Sequence, residues 1–412
     1  MGKFRETLFL VLATFYVVYL IIPIFSFFTG LNISVVSIVT FAGMLFLYPK
    51  AFLNKTSVLG LIYLGVLFLY YLWGKELPSL GAGENPTLMR IIMATAFVIP
   101  NLAIYYILKH LNSERIYRYF CWMPIVVLVV SFATFTPLII GNNEVLRQVT
   151  YTGGEFSTDP RLPHYSLLHA YVLIMPPLIL AFKVIKTKIR YIFLLVAIYD
   201  FYVIAQSSVA ATIVLALISI GFMLIYDEKD NNKSLARAIG FVVLFFLLIE
   251  VGVVDAVMNT IENLYEGTAS FGKMQMFRDM LSGKELAAGN SIDERSHLHN
   301  ISISAFFSNP LIGSTPVGGH SSILDRLGGL GLIGFVPYVI FLYSVFKNVA
   351  KTFVSRNAKM GFYVVSFSVF LLLYQKGLFG QECWLFFIVL APSILHYIEN
   401  KTILKKGIPN VR

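Results

Sequence analysis

The sequence predicts an all-α fold, a polytopic membrane helix bundle of roughly twelve transmembrane helices with a large extracytoplasmic loop that contains short helices. Three observations predict it. Hydrophobic residues make up 57% of the 412 and charged residues only 13%, with a mean hydropathy of +0.76, more apolar surface than one water-facing core can bury. The apolar residues fall into runs long enough to span a bilayer. Lys and Arg gather between alternate runs, as topogenic charges do.

Taken in order, the runs are Leu8 to Phe28, Ile33 to Tyr48, Ser57 to Trp73, Leu88 to Leu108, Tyr119 to Ile140 and Leu167 to Phe182. Six more follow at Tyr191 to Ala205, Val209 to Tyr226, Ile239 to Met258, Leu327 to Phe346, Gly361 to Tyr374 and Cys383 to Tyr397. Lys3 and Arg5 precede a first run too long for a signal-peptide core and without a small-residue cleavage pattern, so it is expected to be a retained span. With the N-terminus inside, most of the 32 Lys and Arg residues fall in inner segments, which puts both termini in the cytoplasm. Trp73, Trp122 and Trp384 are placed at helix ends, where interfacial aromatics sit. Pro176-Pro177 and Pro337 are expected to bend their helices.

The division that follows is residues 1–258 for the first nine spans with an outer loop at 141–166, 259–326 for the large extracytoplasmic loop, and 327–412 for the last three spans and a cytoplasmic tail. Within the large loop, Phe271, Met274, Phe277 and Leu281 recur at helical spacing and predict an amphipathic helix on the outer leaflet. Ser291 followed by Glu294 matches a capping box, so a second helix starts near Ile292, stops at Asn309-Pro310, and carries Arg295, His299 and Ser302 along one face. The loop then turns at Gly318-Gly319-His320, and Ser321-Ser322 can cap the next span. Gly328, Gly331 and Gly334 recur every three residues, as expected where helices pack closely.

The net charge of +10 is explained by inner-loop cations, which removes the case for a nucleic-acid partner. Cys121 and Cys383 lie in apolar runs and imply no disulfide framework. The predicted outer segments hold Lys75, Arg90, Arg147, Arg161, Lys273, Arg278, Lys284, Arg295, Arg326 and Lys376. An arginine fork there suits phosphate oxygens such as those of a lipid diphosphate; the plain alternative for each is a solvated charge or an ion pair with a nearby carboxylate. His320, at the positive end of a helix, is a candidate general base, against an imidazole simply bonded to a loop carbonyl. His297 and His299 do not share a helix face, so no metal site is expected. Asp200, Glu250 and Asp255 are acids in or near spans and hence candidates for pairing or relay roles. No Asp-x-Asp pair stands in the outer loops to hold a metal-bound nucleotide sugar.

The stretch from Arg295 through Pro310 and Gly313 to His320 and the run Gly328-Gly329-Leu330-Gly331-Leu332-Ile333-Gly334 resembles the signature region of the O-antigen polymerase and O-antigen ligase superfamily, the Wzy-type enzymes. The likeness covers about 40 residues of the chain. His320 is followed by Ser321 where the family often has asparagine, and the His-Asn pair stands instead at His299-Asn300, so His299 remains the alternative histidine. Where the family often has Ser-Arg, this chain has Ser207-Ser208.

The resemblance implies a glycosyltransferase of the bacterial inner (cytoplasmic) membrane, active on the extracytoplasmic face and needing neither cofactor nor metal. Donor and acceptor would be glycans linked to undecaprenyl diphosphate, joined with inversion, and a chain-length regulator protein would be a further partner. His320 would be the base or acceptor-orienting group, Arg161 and Arg295 the diphosphate ligands, with Arg147 and Arg278 in reserve. Two other readings stay open: a ligase that transfers glycan to lipid A-core, and a flippase or transporter of lipid-linked oligosaccharides. The flippase reading predicts cations lining a path through the membrane rather than gathered in outer loops.

Overall fold

The computed structural model describes residues 2–75, 77, 87–141, 145–146, 159, 161–207, 210–226, 291–375 and 380–405. The amphipathic helix expected around Phe271 to Leu281, the span expected at Ile239 to Met258, and Arg147, Arg278, Glu250 and Asp255 lie outside them.

Among the described residues the chain is helical and has no strand. The helices are α1 (Gly2–Ile21), α2 (Pro23–Thr29), α3 (Ile33–Leu47), α4 (Lys55–Leu72), α5 (Thr87–Leu111), α6 (Glu114–Gly141), α7 (Tyr165–Tyr171), α8 (Met175–Val184), α9 (Arg190–Gln206) and α10 (Ala210–Ile225). After the undescribed stretch come α11 (Ser291–Ser308), α12 (Ser322–Ala350), α13 (Arg356–Gln375), α14 (Gln381–Leu385) and α15 (Ala391–Lys405). A five-residue π-helical segment, Phe386–Leu390, joins the last two into one span.

Seven of these helical stretches are long and apolar enough to cross a membrane, or eight if the pair α2 and α3, bent by 91°, counts as one span. The expected run at Leu8 to Phe28 is divided at Ile22, because Pro23 has no N–H to continue the helix and instead starts the next one. A similar division falls at Val172 to Ile174, and Pro176 and Pro177 occupy the first turn of α8. The prolines therefore mark a helix start rather than a bend within a continuous helix.

The bundle is organised around its last span. The apolar window of Gln381–Thr402 is 100% buried, and that of Ser166–Val184 is 83% buried, whereas α4 is largely exposed at its flanks. Aromatic packing secures this centre: Phe362 stacks on Phe387 at 5.4 Å, and Trp122 lies 5.8 Å from Tyr397. Trp384 is accordingly buried at 4% exposure, not interfacial as expected, while Trp73 closes α4 at 76% exposure. The C-terminal end of the last span is tied down by Glu399, whose Oε1 accepts from the backbone N–H groups of Val354 and Ser355 just ahead of α13. Those donors would otherwise be orphaned at a helix start.

Candidate functional site

The stretch singled out in the sequence folds as a helix, a turn and a broken helix. α11 spans Ser291–Ser308 and ends where Asn309-Pro310 predicts. α12 begins at Ser322 rather than Leu327, because Ser321 is its N-cap and accepts from Leu324 N at 3.1 Å. It is interrupted at Gly331, whose φ of 56° and ψ of −167° lie outside the helical region. The break thus falls at Gly331, ahead of Pro337.

A helix interrupted in its middle leaves N–H donors on one side of the break and carbonyl acceptors on the other. The turn after α11 meets both sets. Leu332 N donates to Pro310 O at 2.9 Å and Ile333 N to Leu311 O at 3.0 Å. On the other side, Ser314 N donates to Gly328 O at 2.9 Å, and the Tyr70 hydroxyl donates to Leu330 O at 2.8 Å. The Pro310-x-x-Gly313 element is therefore the cap of the broken helix. Lys75 holds the turn from the end of α4: its ammonium donates to the carbonyls of Ile312 and Gly313 and lies 5.1 Å from the Tyr70 ring. Partial burial pulls its pKa below the usual lysine value. The close packing expected of the glycine series is seen directly, since a Cβ on Gly328 would stand 2.3 Å from Ser302 O.

One buried carboxylate fixes the loop that carries His320. Asp325 Oδ1 accepts from Ser302 Oγ at 2.6 Å and from Gly319 N at 3.2 Å, and Oδ2 accepts from Ser321 N at 3.0 Å. Gly318 N donates to Ser302 Oγ at 2.9 Å. The two residues flanking His320 are thus both bonded to Asp325, and the imidazole is presented at the surface on a fixed backbone. Arg295 is exposed on α11, one turn before Leu298, whose backbone packs against Gly318. His320 and Arg295 therefore lie on adjoining segments. His299 packs 5.4 Å from Tyr374 at the end of α13. Beside them, α11 and Ser314 to Pro316 enclose a cleft of about 340 Å³ lined by His297, Asn300, Ser304 and Ser308.

Arg326 is the cation whose surroundings sequence reasoning missed. On an unbroken helix it would start about 18 Å along the axis from Tyr338. The break at Gly331 instead brings its guanidinium to 4.6 Å from the Tyr338 ring, with Nε donating to the Tyr63 hydroxyl at 3.4 Å and Nη1 donating to Ser322 O at 2.9 Å. Among the described residues no carboxylate forms an ion pair with it. Tyr63 also lines an apolar groove of about 320 Å³ that runs between α3, α4, α5 and α12 past Phe41, Phe52, Leu102 and Phe341. A cation held by two tyrosines, one of which lines an apolar groove, can receive an anion that carries a hydrocarbon chain.

Arg161 lies on a separate segment. Its fork is turned onto Asp159, with Nε to Oδ1 at 2.8 Å and Nη2 to Oδ2 at 2.5 Å, so the ion-pair alternative holds for it here. Three residues on, His164 Nε2 and Glu382 Oε1 are 2.9 Å apart, and Ser166 Oγ donates to Glu382 Oε2 at 2.6 Å. Glu382 is 3% exposed and the His164 side chain 46%. Burial pulls the imidazole pKa down, the Glu382 charge and hydrogen bond pull it up, and the net lies above the ordinary histidine value. The neighbouring Gln381 accepts from Ser37 Oγ at 2.8 Å and from the Tyr16 hydroxyl at 3.3 Å. The signal available in sequence was the polar pair Gln381-Glu382 at the head of the final apolar run, an acid where a helix start favours one. Asp200 is wholly buried, and both its carboxyl oxygens lack hydrogen-bond partners among the described residues.

Among the described residues no cluster of three or more His, Cys, Asp or Glu could hold a metal ion. No protein-family model matches the chain, and neither does any curated protein.

Proposed function

We propose that this chain is a multi-pass glycosyltransferase of a bacterial cytoplasmic membrane that polymerises undecaprenyl-diphosphate-linked repeat units on the extracytoplasmic face. The reading includes roughly twelve spans with both termini inside. The observation that carries it is the broken helix: it fixes the His320 loop on Asp325 and turns Arg326 into a two-tyrosine niche beside an apolar groove.

The chemistry asked of such a protein is modest. A glycosyl diphosphate already carries its leaving group, so the protein has to stabilise the charge that develops on the diphosphate and to orient and deprotonate the acceptor hydroxyl. Arg161 and Arg295 are assigned to the diphosphate, with Arg147 and Arg278 in reserve, and Arg326 joins them as a cation bonded to Tyr63, which lines the groove. Arg161 would share its fork between Asp159 and the ligand. His320 orients the acceptor or takes its proton.

The test is purified protein incubated with a defined undecaprenyl-diphosphate-linked repeat unit, without nucleotide or added metal. A ladder of products on a gel is expected, and His320→Ala should abolish it while the protein still inserts and elutes normally. No ladder from the wild type, or a full ladder from His320→Ala, would end the reading.

A further inference from the structure

We infer that His164, held by Glu382, is the group that takes the proton of the acceptor hydroxyl. The inference rests on the glycosyl-transfer reading and names a catalytic residue within it. It starts from geometry on a segment that the sequence signature does not reach.

Glu382 stands in the first turn of the central span and has both oxygens engaged, one by His164 and one by Ser166. The arrangement is close-packed: a Cβ on Gly380 would fall 1.9 Å from Ser166 Oγ and 2.6 Å from Glu382 Oε2, so only glycine fits beside the pair. A carboxylate fixed in this way selects one imidazole tautomer. With Nε2 donating to Glu382, the lone pair of a neutral ring is on Nδ1, which has no hydrogen bond among the described residues. The ring is half-exposed while its carboxylate is buried. That is the layout of an oriented base, in which the acid fixes the ring and stabilises the imidazolium that forms. Arg161, assigned to the diphosphate, lies three residues away on the same segment, so one stretch of chain would carry both a cation for the leaving group and a base for the nucleophile.

The acceptor O–H proton passes to His164 Nδ1, and the oxygen's electron pair forms the new bond to the donor's anomeric carbon. The bond from that carbon to the diphosphate oxygen breaks, and its electrons stay on the diphosphate. Glu382 faces the resulting imidazolium and keeps its charge. Among the described residues the other titratable groups around the pair are Tyr16 and Tyr19 on α1, Cys383 beside Glu382, and the mutually paired Asp159 and Arg161 on the segment of His164 itself. The carboxylate closest to the imidazole is therefore Glu382. A base must be neutral to act, so the rate should rise with pH through the His164 pKa, which Glu382 holds above the ordinary value.

The experiment measures polymerisation rate against pH in the purified full-length protein, using the same lipid-diphosphate repeat unit. His164→Ala should lower the rate by about 100-fold or more, as expected for loss of a general base, with partial rescue by added imidazole. Glu382→Gln, which keeps the shape of the contact, should move the rising limb to lower pH. His164→Gln guards against a folding defect, with elution on size exclusion as the control. A folded His164 variant with wild-type rate and limb, or a limb that Glu382→Gln does not move, overturns this inference and leaves the proposed function standing. A wild type that makes no polymer overturns both.

Discussion

Gly331→Ala puts the broken helix to the most direct test. The residue sits at φ 56° and ψ −167°, a region that essentially only glycine occupies, and forcing a side chain there costs about 1–3 kcal/mol. The added Cβ would also stand 2.4 Å from Gly313 N and 2.6 Å from the Leu311 carbonyl. Those are backbone atoms, so the turn itself has to move. Moving it breaks the bonds from Leu332 to Pro310 and from Ile333 to Leu311, each contributing about 0.5–1.5 kcal/mol. The sum is about 2–6 kcal/mol, a large part of the stability of most domains. The assay is equilibrium unfolding in detergent micelles, with Gly65→Ala as the control. Gly65 sits inside α4 with nothing within 4 Å of an added Cβ, so alanine there should be neutral or stabilising by up to about 1 kcal/mol. Equal stability of the two variants would refute the account of the break.

Asp325→Ala removes the acceptor shared by Ser302 Oγ, Gly319 N and Ser321 N. It should cost about 3 kcal/mol or more, and limited proteolysis between residues 314 and 321 should speed up. Arg326→Lys keeps the charge but loses the fork and the flat face against Tyr338, so polymer yield in the ladder assay should fall well below wild type while elution is unchanged. The His164–Glu382 pair makes stability depend on pH. Because the imidazole pKa is raised in the folded protein, the ion pair's contribution is full below the ordinary histidine pKa and is lost as pH rises through the raised one. Thermal denaturation of wild type and His164→Gln should therefore differ most on the acid side, with the gap closing across that window.

How far the sequence could be read is clearest at single residues. Asn309 and Ser321 announce helix ends because capping is local, and the structure has helix ends there. Gly331 looked like its neighbours in a glycine-rich run, because what breaks the helix is the turn at 310–313, contacts that no local pattern encodes. The position of Arg326 follows from that break and was hidden with it. Trp384 was expected at an interface because it stands near the end of an apolar run, but that run is the centre of the bundle. Periodicity says how long a helix is, not which helix the others surround. Glu382 stands one residue outside the predicted span, so the apolar run alone does not mark it, as it marks Asp200, as an acid within a span.

The π-helical segment Phe386–Leu390 has a further consequence. One extra residue is accommodated there without lengthening the helix by a full turn, so everything on one side is rotated by about 100° relative to a regular helix. The rotary setting between Gln381-Glu382 at one end and His396-Glu399 at the other is therefore fixed by the five apolar residues between them. Deleting one residue from that segment would keep both polar ends chemically intact yet aim them at different neighbours.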